Sequence, residues 1–78
     1  MMKHKVGDKV TIKSWKDMED EYGIDENGVI KIPQNFTKDM KEYCEKTFTI
    51  DYIDETCYHL IGIDGWEFTD EMFIEKIP

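Results

Sequence analysis

The chain has 78 residues, 18 acidic against 10 basic side chains, a formal charge of −8 and no arginine. One domain is the ceiling at this length, and burial of only about 60% of the unfolded chain's surface leaves no room for a deep catalytic cleft with a core of its own. So acidic a chain repels phosphate and lacks the best bidentate reader of bases and phosphates, which argues against direct nucleic-acid binding and for a protein partner with a basic surface.

No run approaches the ~18 apolar residues of a membrane helix, and the basic opening MMKHK is followed by VGDKVTI, not by an apolar signal region. The expectation is a cytoplasmic protein, residues 1–78 forming one domain, with Cys44 and Cys57 as reduced thiols. Asn35-Phe36-Thr37 matches a glycosylation sequon, which has no meaning in that compartment; Asn35 or Thr37 reads better as a helix start.

Taken in chain order, KVGDKVTIK (5–13) alternates Val10 and Ile12 with Lys9, Thr11 and Lys13, a half-buried strand with a lysine outer face. In SWKDMEDEYG, Ser14 caps and Trp15, Met18 and Tyr22 recur at helical spacing, predicting a short amphipathic helix over 15–22 with Gly23 as a left-handed stop. Asn27-Gly28 signals a tight turn between short apolar pieces, and Pro33 ends that stretch. Phe36, Met40, Tyr43 and Cys44 then mark one face of a second helix. TFTIDYID (47–54) alternates as a strand with Phe48, Ile50 and Tyr52 on one face, and Asp54-Glu55-Thr56 leads into a strand over 57–63. Asp64-Gly65 is the strongest hairpin signal, WEFT a short third strand, TDEM a single helical turn and FIEKI a closing strand. Trp66 and Phe68 are expected to pair into the sheet, Met72 to plug its end, and Ile74 and Ile77 to lie along the first strand.

Chemistry-bearing patterns are sparse. His4, Cys44, Cys57 and His59 invite a zinc reading, but only Cys57 and His59 are close in sequence and no paired-ligand spacing occurs, so no metal and no cofactor is expected. Asp25, Asn27 and Gly28 imitate the middle of a calcium loop, yet alignment places Gly23 and Gln34 where acids are required. Ser14 is taken up as a cap and no acid–base pair is marked out, so an enzyme is not expected. The six acids of residues 17–30, with no base among them, lie beside Trp15 and Tyr22. Aromatic faces attract cations at about 0.5–2 kcal/mol. Core packing is the better account of Phe48, Ile50, Phe68 and Met72. Trp15, Asp17, Glu19, Asp20, Glu21, Tyr22, Asp25 and Glu26 on the excursion, with Trp66, make the candidate contact surface.

The order of strand, helical excursion, three-strand meander, helical turn and closing strand resembles an SH3-like barrel: mainly β (α+β), about five strands, with two short helices inserted after the first. VGDKVTI (6–12), FTKDMKEYCEK (36–46), TFTIDYID (47–54) and WEFTDEMF (66–73) together resemble a group of small, mostly uncharacterised proteins of phages and low-GC Gram-positive bacteria. One departure from that pattern is Glu45, where a glycine is expected to end the helix. The resemblance implies the fold and carries no activity. The function expected is a small acidic interaction module that binds a basic protein surface or peptide through the excursion. The alternative is a phage-type inhibitor that occupies a host nucleic-acid-binding protein by charge mimicry.

Overall fold

In the computed structural model, which describes residues 3–32 and 35–74, the first strand forms where lysine and β-branched residues alternate. β1 spans Lys9–Thr11, with Val10 buried and Lys9 exposed. It pairs antiparallel with β2 (Thr47–Asp54) in the register Lys9↔Thr49, Val10↔Phe48 and Thr11↔Thr47, and the two threonine hydroxyls meet at 2.7 Å. β2 pairs in turn with β3 (Cys57–Leu60), giving a three-stranded antiparallel sheet in the order β1-β2-β3.

The β2–β3 register shifts once. Ile50 faces Leu60 but Tyr52 faces His59, so Asp51 is an extra residue, a bulge. Strict alternation predicts Phe48, Ile50 and Tyr52 on one face. The bulge breaks that parity: Ile50 is buried and Tyr52 is 52% exposed.

α1 occupies Trp15–Tyr22, as its apolar spacing predicts. The Ser14 hydroxyl accepts the Asp17 N–H at 3.1 Å, Met18 is fully buried, and Trp15 and Tyr22 are packed half-buried on the core. Gly23 ends the helix at φ 82°, ψ 165°, an extended positive-φ conformation essentially confined to glycine and not the left-handed turn expected there. Beyond it, single bridges Ile24↔Ile30 and Ile30↔Phe36 fold the excursion around the Asn27-Gly28 turn and bury Ile30 and Phe36 completely.

The second helix, Lys38–Tyr43, is a 3₁₀ helix and not an α-helix. Its candidate cap Thr37 makes no side-chain capping bond, and its inward residues Met40 and Tyr43 are three apart, the repeat that a 3₁₀ turn brings onto one side. Glu45, which stands where glycine was expected, adopts φ 65° and donates its N–H to the Ile12 carbonyl at 2.8 Å. The left-handed geometry is present without the residue that favours it.

The C-terminal half departs most from the expected five-stranded barrel. The strand predicted over 57–63 stops at Leu60, and the tight two-residue hairpin is Glu55-Thr56, between the paired Asp54 and Cys57, not Asp64-Gly65. The WEFT strand is reduced to one antiparallel bridge, Tyr58↔Phe68; Trp66 stays out of the sheet and packs half-buried against the core. Asp70–Met72 forms a second 3₁₀ turn, after which Phe73 bridges Ile12 and the Ile74 N–H donates to the Thr11 carbonyl at 2.9 Å. The 3₁₀ turn takes the chain out of extended form between these two bridges, so neither grows into a ladder. The described sheet therefore has three strands and is not closed. Pro33, Gln34, Ile77 and most of the predicted closing strand lie outside the described residues.

Val10, Ile12, Met18, Ile30, Ile50, Tyr58, Phe68, Met72 and Phe73 meet in one core between the sheet, α1 and the excursion. Of the residues read as core, Met72 is fully buried while Phe48 is only half-buried. Among the described residues no helix is long and apolar enough to cross a membrane.

Candidate functional site: an acidic groove beside the helix

Helical spacing sets Asp17 and Glu21, four residues apart, along one side of α1, and Tyr22 follows Glu21 at the end of the helix. The bridge at Phe73 draws the second 3₁₀ turn up to the same side. Between them lies a groove of about 740 Å³, lined by Lys3, Lys13, Asp17, Glu21, Tyr22, Asp70, Glu71, Phe73 and Ile74. Four carboxylates thus face two lysines over an apolar floor.

Much of the lining is held in place by polar contacts. The Lys13 ammonium donates to Glu21 at 2.8 Å and stands 5.3 Å from the centre of the Tyr22 ring. Burial works against its charge, but the bond to Glu21 and the influence of Tyr22 outweigh it and hold the Lys13 pKa above the ordinary lysine value. The Tyr22 hydroxyl donates to the Glu71 carbonyl at 3.4 Å, tying helix to turn. Asp70 accepts from the buried Tyr58 hydroxyl at 2.7 Å and from the Lys3 N–H at 3.3 Å. That hydroxyl also accepts the His4 N–H at 3.0 Å. Burial, and next the bond to Asp70, push the Tyr58 pKa up to about 12.

The nine predicted contact residues do not gather in one place. Asp17, Glu21 and Tyr22 line the groove. Glu19, Asp20 and Glu26 are exposed outside its lining, and Asp20 lies 3.5 Å from Lys16 on the helix surface. Asp25 has a structural role: its carboxylate accepts the N–H groups of Asn27 and Val29, each at 2.9 Å, and closes the Asn27-Gly28 turn. Trp15 is not a vacant aromatic face, since it packs on Phe36 and already carries the Lys41 ammonium 5.1 Å from its ring centre. Trp66 is not in the lining either. Sequence reading missed Asp70 and Glu71, whose contribution depends on the closing segment returning beside α1.

The histidines and thiols considered for zinc are not brought together. Among the described residues, the one grouping of potential metal ligands is Asp54, His59 and Glu67. Cys44 and Cys57 form no disulfide, and burial raises the Cys44 thiol pKa above its usual value. No family model, curated protein or solved structure matches the chain.

Proposed function

We propose that this chain is a small protein-interaction module that takes a lysine- or arginine-rich segment of a partner into the groove between α1 and the second 3₁₀ turn. The observation that carries this reading is the surplus of carboxylates there: Asp17, Glu21, Asp70 and Glu71 against Lys3 and Lys13. A concave acidic wall concentrates field toward cationic side chains, and the aliphatic stems of lysine or arginine suit the Phe73 and Ile74 floor. The same reading keeps the chain in the cytoplasm and among the phage and Gram-positive proteins it resembles. Its chain path would be an SH3-like barrel reduced to minimal closing contacts, a view supported by the Tyr58–Phe68 and Ile12–Phe73 bridges. Protection of the Phe68 and Ile74 amides from hydrogen exchange is the expected sign of that closure.

The binding test uses a fluorescent lysine- and arginine-rich peptide and its acidic counterpart. Only the basic peptide should bind, with affinity falling as salt rises. Asp17→Asn and Glu71→Gln should each weaken it about two- to fivefold, the worth of an exposed ion pair. Glu19→Lys and Asp20→Lys change more charge but lie outside the groove, and should matter less. If they weaken binding as much, attraction is a matter of net charge and the groove has no special part. Charge mimicry draws on those same outward acids, Glu19, Asp20 and Glu26. Under that reading a nucleic-acid-binding protein is captured and DNA competes for it; capture that is indifferent to DNA excludes mimicry.

A further inference from the structure

We propose that Asp54, His59 and Glu67 form a site for a divalent transition-metal ion of the zinc or cobalt type, on a part of the sheet separate from the groove. The three residues come from neighbouring segments. His59 lies on β3, opposite Tyr52 of β2, and Asp54 stands two residues beyond Tyr52. The Tyr58↔Phe68 bridge brings Glu67 alongside His59 in antiparallel register. One ligand atom from each residue lies within 4.8 Å of the others.

The imidazole supplies an independent observation. His59 Nε2 is shielded from solvent and has no hydrogen-bond partner. Its neighbour Glu67 Oε2 is 3.6 Å away, too far for a hydrogen bond. Bonds of 2.0–2.2 Å to a tetrahedral ion place two ligands about 3.3–3.6 Å apart, so this separation suits two atoms sharing one ion. The ring is already held, stacked on Tyr52 with centroids 4.1 Å apart and planes 5° apart. Asp54 is exposed and Glu67 only partly buried, so water can reach the site and complete the coordination. One imidazole with two carboxylates favours borderline cations such as zinc, cobalt or nickel over calcium, which takes six or more oxygens.

Cobalt(II) and zinc(II) are titrated into the full chain and followed by visible absorption, calorimetry and imidazole NMR. Saturable one-to-one binding is expected, with the His59 ring signals moving and those of His4 stationary. The cobalt spectrum should lack a thiolate charge-transfer band. Glu67→Gln and His59→Ala should each weaken binding about tenfold or more, and Asp54→Asn to a smaller extent. Because Glu67→Gln preserves side-chain shape, it separates loss of a ligand from loss of fold. Absence of saturable binding, a thiolate band, unmoved His59 signals or unchanged affinity in both Glu67→Gln and His59→Ala would each overturn the proposal.

Discussion

The hydroxyl of Tyr58 sits where the N-terminal segment, β3 and the wall of the acidic groove meet, and its ionisation should be visible in the protein's stability. It is fully buried, donates to Asp70 at 2.7 Å and accepts from the His4 N–H at 3.0 Å. Its pKa rises from 10.0 to about 12, chiefly through burial, because a phenolate there loses hydration and faces the Asp70 carboxylate. A folded-state pKa above the unfolded value means that the folded chain holds the proton more tightly. The stabilisation is therefore complete below pH 10 and is lost as pH rises towards 12. Two pH units at 1.36 kcal/mol each set the loss at about 2–3 kcal/mol. A domain of this size has a total stability of roughly 4–12 kcal/mol. Urea unfolding from about pH 9 to about pH 12 measures it, with Tyr58→Phe as the reference that isolates the contribution of this one hydroxyl. Tyr58→Phe should start about 1–3 kcal/mol less stable, having removed the hydroxyl that bonds both Asp70 and the His4 N–H, and should fall less steeply above pH 10. Absorbance titration should show a tyrosine transition displaced towards pH 12 that is missing from Tyr58→Phe. Parallel stability profiles for wild type and Tyr58→Phe would refute the reasoning.

Three further outcomes follow from the packing. Met18→Ala removes a fully buried side chain from the one apolar position that anchors the middle of α1, and should cost about 2–5 kcal/mol in urea unfolding. Glu45→Gly relieves a left-handed backbone conformation at φ 65°, and should raise stability by up to about 1 kcal/mol in the same assay. Asp25 has its pKa held below 3.8, first by the Val29 N–H and then by that of Asn27, with Lys31 assisting. A depressed carboxylate pKa contributes stability above the unfolded value that is lost as pH falls through the folded one, so Asp25→Asn should flatten the decline of stability below pH 3.8.

Local chemistry was legible where neighbouring residues decide the structure. Ser14 and the 15–22 spacing announced α1, Asn27-Gly28 announced a turn, and the alternations in 5–13 and 47–54 announced strands, though not that the two would pair. Prediction failed where a longer constraint overrode local preference. The bulge at Asp51 reversed the facing of Tyr52; the Asp64-Gly65 signal lost the hairpin to Glu55-Thr56; and Glu45 took a backbone shape that its side chain disfavours.

The candidate site divides in the same way. The sequence alone determined that this molecule is small, acidic and without arginine, and that its helix carries carboxylates, because charge sums over residues and helical periodicity is written in their local order. Only the tertiary structure decided which carboxylates act together. Asp17 and Asp70 are far apart in sequence and line one groove because the Phe73 bridge returns the closing segment to Ile12, beside α1. Asp25, also a carboxylate, is committed to its own turn by two backbone N–H groups. An electric field depends on distances in space, and folding sets those distances through contacts between residues remote in sequence.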